Sequence, residues 1–182
     1  VGKAQDSAVE VRLAIVRALG ALGDPRAAQA LLLALRDANT DVRTAAIDAL
    51  GSLREKGAID ALVPFLSERS ASLRRSAIEA IGAIGTDAAI APLVGALGSW
   101  EDATAALGPS PVRSALVAMG PRAADALLPI LAAQGKGTAS SAAWILGELQ
   151  EKRAIPALVN GLRTGSLPAA VALRALGRVN DP

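Results

Sequence analysis

The sequence predicts an all-α fold, an α-α superhelix of about five and a half helical hairpins, and three observations carry that prediction. The run from Val11, VRLAIVRALGALGDPRAAQALLLALRD, returns from Val42 and again from Leu73, each time shifted by 31 residues. Within a copy the apolar residues fall at helical spacing. Val11, Ala14, Ile15, Ala18, Leu19 and Leu22 form one stripe, and Ala28, Leu31, Leu32 and Leu35 form a second. The core material is also suited to helices. Hydrophobic residues make up 52% of the chain and aromatics only 2%, with Ala roughly a quarter, so the core is built from Ala, Leu, Ile and Val, of which Ala and Leu are strong helix formers.

Each element follows from its punctuation. In the first copy Gly23 suits a helix C-cap, Asp24 an N-cap and Pro25 the first turn of the next helix. First helices are expected near 8–22, 41–53, 72–84, 111–119, 137–149 and 167–179. Second helices are expected near 26–36, 58–67, 88–97, 122–132 and 154–163. A fourth copy begins at Ala115, four residues late, and a fifth at Ile145; a sixth at Arg174 reaches only Asn180, Asp181 and Pro182. The chain thus divides as one solenoid segment, 1–182, with repeats at 8–37, 40–68, 71–98, 99–133 with an insertion, 136–164 and a partial 167–182. Val1 is not an initiator Met, and the sixth copy stops where a second helix would start, so the expectation is a piece of a longer array. Each hairpin has too little core of its own, and stacking buries the stripes jointly.

Composition removes much chemistry. With no Cys and no His, thiol nucleophiles, disulfides, imidazole acid–base pairs and Cys/His zinc sites are excluded. The formal charge is +2 and no long basic run occurs, so the electrostatic case for nucleic acid is thin. No uninterrupted apolar stretch has the length of a membrane span. Membrane insertion is not expected, and the expected location is cytoplasmic.

The pattern VR..A..ALG.LGD..A...L...L at residues 11 to 35 resembles the short HEAT-like repeats named after phycobilisome lyases, and the resemblance extends over nearly the whole chain. It implies a HEAT-like α-solenoid, a scaffold shared by chromophore lyases, hydroxylases, regulatory adaptors and other proteins, so it fixes fold more closely than function. The hydroxylase branch holds iron through His-Glu motifs, which this chain lacks.

Stacking turns equivalent positions into columns. Arg12, Arg43 and Arg74 form either a basic stripe for phosphate or, as the resemblance also implies, a ladder bonding acidic side chains and helix-end carbonyls, with Asp41 at hand. The ladder is preferred. On the outward side of the second helices, which lines the concave face in such stacks, stand Leu33, Pro64, Gly95, Pro129 and Asn160, beside a column of Ala34, Phe65, Ala96, Ile130 and Gly161. Pro64 and Pro129 each follow an Asp by four residues (Asp60, Asp125) and offer its carbonyl no N–H, so a kinked groove is expected. Gln29, Leu33, Asp60, Pro64, Phe65, Asp125, Pro129 and Asn160 are therefore the candidate contacts for a protein or peptide. In the competing reading Pro and Gly only set curvature and Phe65 packs on the next hairpin.

Arg17, Asp48, Glu79, Ser114, Trp144 and Arg174 form the outer column of the first helices. There Trp144 is either an exposed anchor or a ring lying against a neighbour. The insertion, Gly98 to Pro111, adds Trp100, Glu101 and Asp102 as binding candidates, or else only bends the stack. Adjacent carboxylates point different ways on a helix, which is weak support for a metal or acid–base site.

A non-enzymatic interaction scaffold with a protein or peptide partner is the leading expectation, with no catalytic residue, metal or cofactor assigned. The alternatives are a relative of phycobilin lyase subunits or another enzyme-associated repeat protein, and, last, a nucleic-acid binder using Arg26, Arg122 and Arg153.

Overall fold

The computed structural model describes residues 2–98, 110–133 and 136–179, and among them every regular element is helical. The described chain divides into two compact units, residues 1–89 and 90–182.

In the first unit α1 (Gly2–Leu22), α3 (Thr40–Ser52) and α5 (Ala71–Ile84) are the first helices of successive hairpins. Helix α2 (Ala28–Ala34) and the short α4 (Ile59–Leu62) belong to the returning arms. Side chains fix the starts: the Asn39 amide oxygen accepts from the backbone N–H of Asp41 at 2.8 Å and of Val42 at 3.2 Å, and the Ser70 hydroxyl accepts from Leu73. Returning arms open with a 3-10 turn, at Pro25–Ala27, Lys56–Ala58 and Asp87–Ala89. The first two turns are capped by the carboxylates of Asp24 and Glu55, which accept from the N–H two residues on.

The first helices end on a left-handed residue, as anticipated at Gly23, where φ is +66°. The equivalent position is Gly85 in the third copy but Arg54 in the second, with φ +50°. An L side chain there is strained against its own carbonyl.

Helix α1 packs on α3 and α3 on α5, while α2 leans on α3. Leu31, Val42, Ala46, Ile47, Leu50, Leu62, Leu73, Ile78 and Ile81 are buried between them. The stripe expected to be buried on α1 is mostly not. Val11 is 57% exposed, Ile15 53% and Leu22 74%, with Ala14 and Ala18 also exposed and Leu19 half-buried; the buried residue of α1 is Val16, outside that stripe. The reason is positional: the matching face of α3 is covered by α1 and α2, whereas no described helix precedes α1.

Proline decides the second returning arm. Pro64 has no N–H for the Asp60 carbonyl, and the arm expected as one helix over 58–67 passes from α4 into a 3-10 helix, Val63–Ser67.

The second unit contains α6 (Ile90–Ala96), α7 (Pro111–Ala118), α8 (Pro121–Ala132), α9 (Lys136–Glu148), α10 (Ile155–Thr164) and α11 (Ala169–Val179). Helix α9 lies against α7, α8 and α11, and α10 against α8 and α11. Pro129 sits inside α8, which continues past it as an α-helix, so the same residue type that ends α4 is absorbed here. Leu116, Leu127, Ala139, Ala142, Leu146, Leu158 and Ala172 form the core. Gln150 repeats the Arg54 solution at the end of α9, with φ +52°.

No helix among the described residues is long and apolar enough to cross a membrane. Asn180, Asp181, Pro182 and nearly all of the insertion, including Trp100, Glu101 and Asp102, lie outside the described residues.

Candidate functional site

The arginine column is the simplest to trace. Arg12 donates from Nε to Asp37 at 2.7 Å and from a terminal nitrogen at 2.9 Å, a two-pronged pair across the first hairpin. Arg43 donates to the carbonyl oxygens of Asp37 and Ala38 at 2.8 and 3.0 Å, and Arg74 to those of Glu68 and Arg69. These guanidinium groups close the loops entering α3 and α5, so they form the structural ladder; the acidic partner is Asp37 rather than Asp41. Hydrogen bonding from Arg12 and from the backbone N–H of Asn39 holds the Asp37 carboxyl below its ordinary pKa.

The returning arms of the first unit form a groove of about 670 Å³, lined by Gln29, Leu32, Leu33, Leu35, Arg36, Gly57, Asp60, Ala61, Pro64 and Phe65. Five candidates read from the sequence thus meet in one place. Leu33 is 63% exposed on one wall, and Gln29, Asp60 and Pro64 are exposed on the rims. Phe65 differs from expectation: it is 9% exposed, part of the floor and core rather than a presented side chain. It lies beside buried Leu66, and its counterparts Ala96 and Gly161 on the later returning arms are buried as well.

In the second unit the remaining candidates separate. Asp125 accepts from Arg153 at 2.8 Å, and Arg153 also donates to Glu151, whose carboxyl is held below its ordinary pKa mainly by that hydrogen bond. Pro129 is exposed on α8. Asn160 lines a small hollow of about 190 Å³ with Leu131, Ala132, Pro156, Ala157, Gly161 and Ser166, and its amide oxygen accepts from Arg163.

Trp144 does not stand free among charges. Its ring is half-buried, and the guanidinium of Arg113 lies over it at 5.7 Å from the centroid. Arg113, only 1% exposed, also donates to the Ser141 hydroxyl at 3.4 Å. The ring-against-neighbour reading is the one the geometry bears out.

The model of HEAT repeats matches residues 1–50 and 29–108, together spanning 1–108 of the 182 residues. This chain belongs to the HEAT-repeat family. The PBS lyase HEAT-like repeat matches residues 139–164. Among solved structures, the HEAT fold of this chain is similar to the complex of CpcE and CpcF of phycocyanin lyase from Nostoc sp. PCC7120, with a TM-score of 0.54, 22% identity and 84% of this chain covered. The chain spans 65% of that relative's length. It is also similar to an engineered protein, at a TM-score of 0.52 and 18% identity, with 98% of this chain and 91% of the other covered. No curated protein matches.

Sequence reasoning overlooked two features of this HEAT protein. Leu32, Arg36 and Ala61 join the groove because their arms lie side by side; Leu32 and Ala61 are the chain neighbours of Leu33 and Asp60, and Arg36 lies about one turn beyond Leu33. A second cleft, of about 350 Å³, runs between α1 and α3 past Leu13, Arg17, Gly20, Asp41, Thr44 and Asp48. Its signal was Gly20, whose missing side chain lets the two helices approach.

Proposed function

We infer that the chain is a binding scaffold without catalytic chemistry of its own, and that the groove between the first two returning arms holds an extended segment of a protein or peptide partner. The carrying observation is the exposed Leu33 above a floor of Leu35 and Phe65, with the amide of Gln29 and the charges of Asp60 and Arg36 around it. An apolar floor with a few polar groups at its edge gives both affinity and register to a peptide. Opposite charges on the rim favour a partner of mixed charge. Nucleic acid is disfavoured because Arg26 is engaged by Asp24, and Arg153 by Glu151 and Asp125. Within this reading the protein works in the cytoplasm.

The second reading is a lyase-associated role, favoured by the PBS lyase HEAT-like match and by the likeness to CpcE and CpcF, which form a complex with one another. Under it the groove would face another subunit of a chromophore lyase.

Panning a random peptide display library on the wild type and on a Leu33→Asp, Asp60→Arg double variant tests the first reading. Enrichment by the wild type that the variant loses, with unchanged helical circular dichroism, supports it; no enrichment, or equal enrichment, overturns it. A bound absorbance band after addition of a bilin chromophore would instead support the second.

A further inference from the structure

Asp60 brings two kinds of acceptor to the wall of the Leu33 groove. It precedes Pro64 by four residues, and both line that groove. Pro64 has no N–H, and the N–H of Val63 goes back to the Ile59 carbonyl, so neither donor of the following turn serves the Asp60 carbonyl. Asp60 is also exposed, and among the described residues no cation pairs with its carboxylate.

The second unit contains the same arrangement completed. Asp125 precedes Pro129 by four residues, and its carboxylate accepts from Arg153, 28 residues on, at 2.8 Å. Arg153 is the middle residue of Lys152–Ala154, the 3-10 turn that opens the next returning arm. The same step of 28 from Asp60 arrives at the middle of the corresponding turn, Asp87–Ala89, where the residue is Ala88, exposed and uncharged. The chain supplies a guanidinium for one aspartate and leaves the matching position beside the other blank.

The acceptors select the group that is missing. A carboxylate and a main-chain carbonyl on one wall suit a donor with several N–H groups spread in a plane, which a guanidinium has and a compact ammonium does not. Its methylene stem would lie along the apolar wall of Leu33 and Pro64. The other charge of the groove, Arg36, is exposed and stands seven residues beyond Gln29, the counterpart of Asp60 on α2. At the helical rise that is roughly 10 Å, or about three residues of an extended chain.

We propose that the partner segment binds through an arginine, whose guanidinium takes at Asp60 the place that Arg153 takes at Asp125, while an acidic residue about three positions away meets Arg36. The assignment rests on the groove reading given under the proposed function and supplies its specificity.

Sequencing the peptides that a random display library yields on the wild type, on Asp60→Asn and on Ala88→Arg tests this. Both substitutions fall on exposed positions, and unchanged helical circular dichroism and melting establish that the variants fold. The wild-type pool is expected to concentrate arginine at one position about tenfold over the library, with Asp or Glu about three positions away. Asp60→Asn removes the charge, and Ala88→Arg supplies the guanidinium from within the chain, so each variant's pool should lose the arginine. A synthetic peptide of the leading wild-type sequence, followed by fluorescence anisotropy, should bind about tenfold more weakly with glutamine in place of its arginine, and lysine should restore only part of the loss. Wild-type enrichment without an arginine preference would overturn the proposal and leave the groove reading standing, whereas no wild-type enrichment would overturn both. An arginine preference that either variant retains, or lysine equal to arginine, would also overturn it.

Discussion

The dipeptide Val-Arg occurs at Val42-Arg43 in α3 and at Val112-Arg113 in α7, and the two pairs come to opposite ends. In α3 the cap is Asn39, three residues before Val42, so Val42 faces the core and Arg43 turns back to the carbonyls of Asp37 and Ala38. In α7 the cap is Ser110, only two residues before Val112, and the whole dipeptide is buried. Arg113 takes the position, three after the cap, that Val42 and Leu73 hold in the first unit. A shift of one residue in the cap converts a loop-closing arginine into a core arginine, and the ring of Trp144 becomes its apolar cover. The identity of a residue pair thus says less than its phase relative to the helix start.

The largest expected effect tests that contrast directly. Arg113→Ala should cost about 3 kcal/mol in urea unfolding, from the cavity and the buried partners it deserts. Arg43→Ala should cost about 1 kcal/mol, the net value of hydrogen bonds at a half-buried site. Equal losses would break the distinction between the two regions.

Next comes the close approach of α3 and α5 at Gly51, where an added Cβ would stand 2.7 Å from the Cα of Ala80. Gly51→Ala drives a Cβ against the backbone of Ala80 and should lose about 1–3 kcal/mol, as overpacking does. Gly177→Ala, at the matching position of α11, should gain about 0.5 kcal/mol from helix propensity alone. Paired thermal and urea melts read both.

The helix ends give a smaller, opposite effect. Replacing Arg54, held at φ +50°, by Gly should raise stability by about 1 kcal/mol. The same substitution at Gln150 should do likewise in the second unit, and a loss at either position would show that the side chain there contributes more than its strain removes.

The smallest effect is a pH dependence. The Asp37 carboxyl lies below its ordinary value of 3.8 in the folded chain, chiefly through Arg12. The unfolded state therefore takes up its proton first on acidification, and the stabilisation is complete above pH 3.8 and lost as pH falls through the folded value. Asp37→Asn should melt a few degrees lower at neutral pH, with the gap to wild type closing in that acid window. A gap that widens toward low pH would assign the effect to something other than this pair.

Groove and ladder were legible to different depths. Gln29, Leu33, Asp60 and Pro64 were read as outward because a repeat of fixed length projects equivalent positions onto one side, and they do share a groove. Phe65, one residue further, is buried, as are its counterparts Ala96 and Gly161 on regular α-helices, so the column beside the exposed one belongs to the core. For Trp144 the sequence leaves an exposed anchor and a ring against a neighbour both open, because its own column is polar and its cover comes from Arg113, on another helix whose start is out of step.

By itself the sequence determined the all-α repeat architecture, the punctuation by Gly23, Asp24 and Pro25, and the side of each returning arm that stays wet, because periodicity and capping are local properties of the chain. Only the tertiary structure decided which apolar faces find a cover. Val42 is buried and Val11 is not, although both stand at the same place in the same motif. Burial is a property of two surfaces, and a repeat specifies only one of them.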